Sequence, residues 1–173
     1  EGTGRYSTIS SPFLQRAYDK IIHDVALGKM RVIFCIDRAG IVGNDGATHH
    51  GLLDLAYLRP VPNMQIAAPM TATDLRQMMA MAVDMQGPVA IRYPRGRSKD
   101  RDLPPVEYGK AACLRDPALA KSQEPTLTLA KSRVCVLSIG AIGNTVEEAL
   151  DAHKELGGGA QGDMRWGRPG GRP

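Results

Sequence analysis

Val32-Ile33-Phe34-Cys35-Ile36 runs directly into Asp37-Arg38-Ala39-Gly40-Ile41-Val42-Gly43-Asn44-Asp45-Gly46-Ala47-Thr48-His49-His50-Gly51. The first five residues are apolar without interruption, which predicts a strand buried on both faces. Glycines at 40, 43, 46 and 51 then permit sharp turns and close approach of backbone to a ligand. Two carboxylates, an arginine and two histidines stand among them. A titratable, glycine-rich loop after a buried strand is where an open α/β sheet holds its ligands, outside the carboxyl ends of the strands.

The flanking sequence fits that frame. Upstream, Ser11-Pro12 predicts a helix start, with Ser11 as N-cap and Pro12 at the first helical position. Leu14, Ala17, Ile21 and Val25 recur at helical spacing, and Gly28 closes the element as a left-handed residue. Downstream, residues 52–58 read as a short helix and 64–68 as a second buried strand ended by Pro69. Thr71 caps a helix with Asp74 in its first turn, and Leu75, Met78, Met79, Ala82 and Val83 give it an apolar face. Residues 89–91 form a third strand that leads into Arg92-Tyr93-Pro94-Arg95-Gly96. Alternating helices and strands predict an α/β fold, a parallel sheet flanked by helices, with Ile21, Ile22, Val32, Ile33 and Ile91 in its core.

Residues 97–132 are charged, contain proline and lack a period, so they read as a connector. Residues 134–140 form another apolar strand. Residues 145–156 form a helix with Glu147 and Glu148 early and His153 and Lys154 late, as the macrodipole favours. Together they make the first βα unit of a second α/β domain. Residues 157–173, rich in Gly, Arg and Pro, are expected to be disordered and unable to bury a core. The domain reading is therefore 1–96, 97–132, 133–156 and 157–173, with the chain truncated inside the second domain.

Composition bounds the function. Of the 173 residues, 43% are hydrophobic and 23% charged, an ordinary soluble globular balance. Aromatics are only 5%, so aliphatic and Met side chains must build the core. The net charge of +4 comes partly from the C-terminal tail. No basic helix face or aromatic-basic interleaving accompanies it, so no nucleic-acid partner is expected. No run approaches the roughly 20 apolar residues of a membrane span, and no signal-peptide core opens the chain. Cys35, Cys113 and Cys135 lack C-x-x-C spacing, which fits a reducing, cytoplasmic setting. No His or carboxylate spacing points to metal ligands within these residues, and no G-x-G-x-x-G or Walker loop supports a nucleotide site.

Each candidate residue has two readings. His49 is either a solvated loop residue or a proton-transfer group that titrates near neutrality. His50 reads as structural, and His23, beside Asp24, as a helix-surface residue. Asp45 either caps its own turn or accepts a substrate hydroxyl. Asp37 and Arg38 pair at the strand end. Arg95, between Pro94 and Gly96, is either a surface arginine or a bidentate holder of phosphate or carboxylate. Met78, Met79, Met81 and Met85 read as core. The residues by themselves give an α/β domain with a polar, anion-friendly site at strand carboxyl ends.

Several stretches occur in order with the right gaps: Phe13-Leu14-Gln15-Arg16-Ala17-Tyr18-Asp19, His23-Asp24-Val25, Ile36-Asp37-Arg38-Ala39-Gly40-Ile41-Val42-Gly43, Asp45-Gly46-x-Thr48-His49-x-Gly51 and Arg92-Tyr93-Pro94-Arg95-Gly96. Over residues 6–156 the chain resembles the pyrimidine-binding domain and the start of the C-terminal domain of the 1-deoxy-D-xylulose-5-phosphate synthase family, in the transketolase-like superfamily. The resemblance implies a thiamine-diphosphate enzyme that condenses pyruvate with D-glyceraldehyde 3-phosphate, releases carbon dioxide, and serves isoprenoid, thiamine and pyridoxal biosynthesis. The cofactor carries the carbon–carbon bond chemistry and the protein positions the reactants. Mg²⁺ accompanies the cofactor, with its ligands, and the glutamate that activates the pyrimidine ring, expected outside these residues. The full-length family is expected to be homodimeric.

Position by position, the resemblance implies that Phe13 packs on the cofactor's aminopyrimidine and that Arg16 and Arg95 bind the acceptor phosphate. Arg38 assists beside the substrate. Asp45 and His49 contact the substrate's hydroxyl and carbonyl groups, with His49 the proton-transfer group. Tyr6 matches the tyrosine of the family's Tyr-Ser-Thr-Phe run as a substrate-binding residue, with Ile9-Ser10-Ser11-Pro12 inserted before Phe13. The chain by itself is expected not to turn over substrate. The alternatives are another superfamily enzyme, such as a transketolase or the β subunit of a 2-oxoacid dehydrogenase, or a non-catalytic relic or interaction module. The expected location is the cytoplasm, or a plastid in a plastid-bearing eukaryote.

Overall fold

The computed structural model describes residues 5–98, 100–115, 135–152, 160–163 and 166–167. Its main sheet has the order β1-β2-β4-β3-β8. The strands β1 (Arg5–Ser10), β2 (Val32–Asp37), β3 (Gln65–Ala67) and β4 (Val89–Arg92) are parallel neighbours. The edge strand β8 (Trp166–Gly167) pairs antiparallel with β3. Uninterrupted apolar sequence makes β2 the centre: Val32, Phe34 and Ile36 face one layer, Ile33 and Cys35 the other. That alternation is the period of two of a strand covered on both sides.

Leu14, Ile21, Ala26, Leu58, Val61 and Met64 fill the first layer, from the helical residues 11–26 and from α3 (Asp54–Leu58) with the turn after it. Met78 and Ala82 of α4 (Ala72–Asp84) fill the second, with Met79, Met81 and Met85 packed beside them. Met79, Met81 and Met85 are only partly buried, and Met78 is core, as expected. So are Ile21, Val32, Ile33 and Ile91; Ile22 is only partly buried against the same cluster. Thr71 caps α4 as read: its Oγ1 accepts from Asp74 N at 3.1 Å, and Asp74 Oδ2 accepts from Met70 N at 3.1 Å. The first bond satisfies an amide that the helix leaves open, and the second ties the residue before the cap to the first turn.

The single helix expected after Ser11 is broken. It comprises α1 (Ser11–Leu14), a 3₁₀ turn (Gln15–Ala17), α2 (Tyr18–Lys20) and a π-helical stretch (Ile21–Ala26). Leu27 N bonds to Ile22 O and Met30 N to Val25 O, the five-residue spacing of a π turn. Widening the turn buries Ala26 in place of Val25. Ser10, with extended backbone, holds the N-cap position, so Ser11 is not the cap: it is a buried first-turn residue. Lys29, at φ 51°, takes the left-handed turn expected of Gly28.

Two further expectations are corrected. The connector contains β5 (Ala112–Arg115), and its Val106 is buried, with Val106 N donating to Gln77 Oε1 at 2.9 Å. The Gly-rich tail contains β7 (Ala160–Asp163), flanked by β5 antiparallel and β6 (Cys135–Ser138) parallel. Gln161 is fully buried there and donates to Gly143 O at 3.1 Å. A strand with neighbours on both sides satisfies its backbone however poor its side chains are in apolar surface. Of the connector and tail, residues 99, 116–132, 157–159, 164–165 and 168–173 lie outside the described residues, as do His153 and Lys154. The helix after β6, α5 (Ile142–Ala152), starts three residues before its expected position at 145.

The turn from β6 to α5 packs on the end of β3. Asn144 Nδ2 donates to Met70 O at 2.9 Å, and Gly143 is buried where a Cβ would stand 2.9 Å from Met70 Sδ. Arg101 pairs with Glu147, and Arg115 with Asp151 at 2.8 Å.

Candidate active site

β2 ends at Asp37, and Arg38 turns the chain out of the sheet with a left-handed φ of 54°. The ends of β2 and β4 stay joined beyond the strands, through Tyr93 N to Ile36 O at 2.9 Å and Ala39 N to Tyr93 O at 3.1 Å. Gly40 and Gly51 exchange both backbone hydrogen bonds at 2.9 Å and close the loop between them. A Cβ on Gly51 would meet Arg38 O at 2.2 Å and Ser11 Cβ at 2.5 Å, so this crossing admits only glycine. Within the loop, two 3₁₀ turns, Gly43–Asp45 and Ala47–His49, carry Asp45 and His49.

Asp45 is the centre of an ion-pair network. Arg38 Nε donates to Asp45 Oδ2 at 3.0 Å, and Arg95 donates to Asp45 Oδ1. Arg38 Nη1 also donates to Asp37 Oδ2 at 2.6 Å, the pair expected at the strand end, and to Ser10 Oγ at 3.4 Å. The hydrogen bond from Arg95, then that from Arg38, holds the Asp45 carboxyl below the usual carboxylate range. The bond to Asp45 in turn raises the Arg38 guanidinium above its ordinary value. Asp45 is therefore a carboxylate at neutral pH and can accept hydrogen bonds but not donate a proton.

A second group stands around Phe13. Its ring meets His49 edge-on, with centroids 5.3 Å apart and planes at 80°, and Arg16 lies 6.0 Å from the ring centroid. Both contacts fall within the range of aromatic and cation–π attraction. His49 Nδ1 is 3.0 Å from Thr48 Oγ1, and its Nε2 has no hydrogen-bond partner among the described residues. His50 Nδ1 accepts from Val42 N at 3.2 Å, a structural role inside the loop. His23 pairs with Asp19 at 3.0 Å on the exposed helix surface, with Lys20 taking Asp24 at 3.6 Å.

Of the residues singled out in the sequence, Phe13, Arg16, Arg38, Asp45, His49 and Arg95 thus gather at the carboxyl ends of β2 and β4. Tyr6 does not. It pairs with Ile33, four residues before Ser10 pairs with Asp37, and is 56% exposed. The sequence reading missed Asp54 and Arg92. Asp54 is fully buried at the start of α3, where Oδ2 accepts from Arg92 Nε at 2.8 Å and Oδ1 from Leu55 N at 2.9 Å. The signal was a lone carboxylate between Leu52-Leu53 and Leu55, too apolar a setting for an unpaired charge. A cavity of about 310 Å³ lies beside the network, lined by Thr71, Tyr93, Ser98, Asn144 and Glu148 among others; none of the seven sequence-predicted site residues lines it.

Residues 3–99 match the sequence profile of the transketolase pyrimidine-binding domain. A 1-deoxy-D-xylulose-5-phosphate synthase from Parabacteroides distasonis is 45% identical over 160 residues, covering 90% of this chain and 23% of the relative. One from Thermus thermophilus is 57% identical over 111 residues, covering 62% of this chain and 18% of the relative. The chain thus spans about a quarter or less of the length of these relatives. By fold it is similar to transketolase from Leishmania mexicana, with TM-score 0.77 at 20% identity over 93% of this chain and 23% of that one. It is also similar to a split-gene transketolase in an inactive β4 tetramer, with TM-score 0.74 at 24% identity over 92% of this chain and 48% of that one. With more than half its residues under that profile and its parallel sheet matching transketolase structures, this chain belongs to the transketolase pyrimidine-binding domain family.

Proposed function

We propose that this chain carries the pyrimidine-facing and acceptor-facing part of a 1-deoxy-D-xylulose-5-phosphate synthase, which joins pyruvate to D-glyceraldehyde 3-phosphate with loss of carbon dioxide. The observation that carries the reading is the network on Asp45. Arg38 and Arg95 share its carboxylate at the carboxyl ends of β2 and β4, and His49 follows one turn later. With Arg16, three guanidiniums stand near two carboxylates, Asp37 and Asp45, so the site favours an incoming anion.

Thiamine diphosphate, when bound, supplies the carbon–carbon bond chemistry. Phe13 fits its pyrimidine end: the ring is 41% exposed beside His49, an open aromatic surface on which a heteroaromatic ring stacks. Among the described residues no group of three His, Cys, Asp or Glu is placed to hold a metal ion. The resemblance assigns the ligands of the accompanying Mg²⁺ to residues outside this chain. Arg16 and Arg95 hold the acceptor phosphate, whose charge replaces Asp45 on Arg95. Asp45, kept ionised, accepts the acceptor's hydroxyl, and His49 Nε2 exchanges a proton at its carbonyl oxygen. The partner in this reading is a second copy of the chain, supported by exposed Ile41, Leu52 and Leu53 around the loop mouth. The location in this reading is the cytoplasm, which the free thiols of Cys35 and Cys135 fit. No helix among the described residues is long and apolar enough to cross a membrane.

Calorimetric titration of the chain with D-glyceraldehyde 3-phosphate tests the reading. Arg95→Ala and Arg16→Ala each remove a charge-assisted contact and are expected to weaken binding by about tenfold or more. Affinity unchanged in both variants overturns the phosphate assignment.

A further inference from the structure

We propose that the cavity between the carboxyl end of the main sheet and α5 binds a small amphiphilic monoanion, a carboxylate on a compact apolar body, and that such a ligand clamps the smaller sheet onto the main one. The proposal goes beyond the acceptor-site reading and stands or falls without it.

The cavity, about 310 Å³, has the size of a site for a small metabolite. Three parts of the chain build its walls. The end of β3 and the first turn of α4 supply Met70 and Thr71, both buried, with Leu75 partly buried beyond them. The chain leaving β4 supplies Tyr93, Pro94 and Arg97, and α5 supplies Asn144, Thr145 and Glu148. The cavity thus adjoins the contact at which Asn144 Nδ2 donates to Met70 O at 2.9 Å. A ligand there touches both parts of the molecule at once. Much of the wall is hydrocarbon, from Pro69, Met70, Leu75, Tyr93, Pro94 and Ala141. Such a lining takes an apolar body, and the flat faces of Tyr93 and the two prolines favour a ring.

The charge comes from Arg97. Of the four arginines between residues 92 and 101, Arg92 pairs with Asp54, Arg95 with Asp45 and Arg101 with Glu147. Arg97 is exposed and pairs with nothing among the described residues. An unpaired guanidinium in the wall of a largely apolar cavity fixes an anionic head while the body is buried. The start of α4 does not serve for this. Its Asp74 amide is taken by Thr71 Oγ1 at 3.1 Å and its Ala72 amide by Ser98 Oγ at 2.7 Å. Glu148 limits the ligand to one negative charge, since a dianion would face a carboxylate that is already engaged. A phosphate monoester, close to a dianion at neutral pH, is therefore the wrong ligand for this cavity.

The test is a backbone amide NMR titration of the full chain with benzoate, benzyl alcohol and inorganic phosphate. Native chain, Arg97→Ala and Thr145→Trp are compared, both substitutions being at exposed positions. Benzoate is expected to shift residues 70–75, 93–98 and 141–148 along one saturation curve, the mark of a ligand that bridges both parts. Benzyl alcohol, the same ring without the charge, should bind more weakly by about tenfold or more. Phosphate should give no saturable shift at these residues. Arg97→Ala should bring benzoate down to the level of benzyl alcohol and leave benzyl alcohol unchanged. Thr145→Trp, which fills the α5 side of the cavity, should abolish the shifts from both. Equal affinity for benzoate and benzyl alcohol overturns the proposal, as does phosphate bound as tightly as benzoate or Arg97→Ala without effect on benzoate. Binding that survives Thr145→Trp, or benzoate shifts centred on residues 37–51, overturns the placement. Separate curves for 93–98 and 141–148 refute the clamp. If Thr145→Trp fails to fold by circular dichroism, the ligand pair and Arg97→Ala decide.

Discussion

Asp45 shares one carboxylate between the guanidiniums of Arg38 and Arg95, the latter 50 residues further along the chain than Asp45, so its protonation uncouples the loop from the end of β4. Its carboxyl lies below the ordinary value in the folded chain. The stabilisation it gives is therefore complete above the unfolded carboxylate range and is lost as pH falls through the folded value. Melting temperature should hold steady down to about pH 4 and drop below it, and Asp45→Asn should lower the neutral-pH value and flatten that acid limb. An acid limb unchanged in the variant would place the titration elsewhere. Gly51→Ala should cost about 1–3 kcal/mol in urea denaturation, because the added carbon has backbone on one side and Ser11 on the other. The glycine spacing and the identity of the charged residues were legible in the sequence. The pairing of Asp45 with Arg95 was not, because no local pattern specifies a partner on a different strand.

At the scale of elements, the buried pair of Asp54 and Arg92 ties the start of α3 to the end of β4 and so fixes both ends of the site. Removing either partner leaves a buried charge, and Asp54→Ala or Arg92→Ala should cost about 3–5 kcal/mol in equilibrium denaturation. The double variant Asp54→Leu with Arg92→Met should cost less than either single change; greater loss would mean packing and not charge dominates. The elements that sequence predicted well are those with one dominant cause: continuous apolar residues for β2, a Thr-x-x-Asp cap for α4. β1 was not anticipated, because Arg5-Tyr6-Ser7-Thr8-Ile9-Ser10 is polar and its strand is fixed by pairing at the sheet edge, not by its own pattern. The break at Ile21–Ala26 escaped for a related reason. The apolar positions fit an α period, and only packing selects the wider turn that buries Ala26.

For the whole molecule, the main parallel sheet was legible and the smaller sheet only in part. β6 announced itself by apolar sequence, whereas β5 and β7 lie in charged and Gly-rich stretches and gain their order from each other. The join between the two sheets depends on few groups. Asn144→Ala removes the donor to Met70 O and leaves a buried carbonyl unpaired, which should cost about 1–3 kcal/mol. Calorimetry should then resolve a broadened or split unfolding transition where the native chain has one, and a single sharp transition in the variant would argue against this contact as the coupling.

In the proposed function, the loop between Gly40 and Gly51 and the end of β4 together hold a phosphorylated aldehyde. The most direct test of that placement is a backbone amide NMR titration of the chain with D-glyceraldehyde 3-phosphate. Shifts should concentrate at residues 37–51 and 92–96, with Phe13 and Arg16 following and Tyr6 unmoved. Shifts centred on the cavity lined by Thr71, Ser98 and Asn144, or no saturable shifts at all, would contradict it.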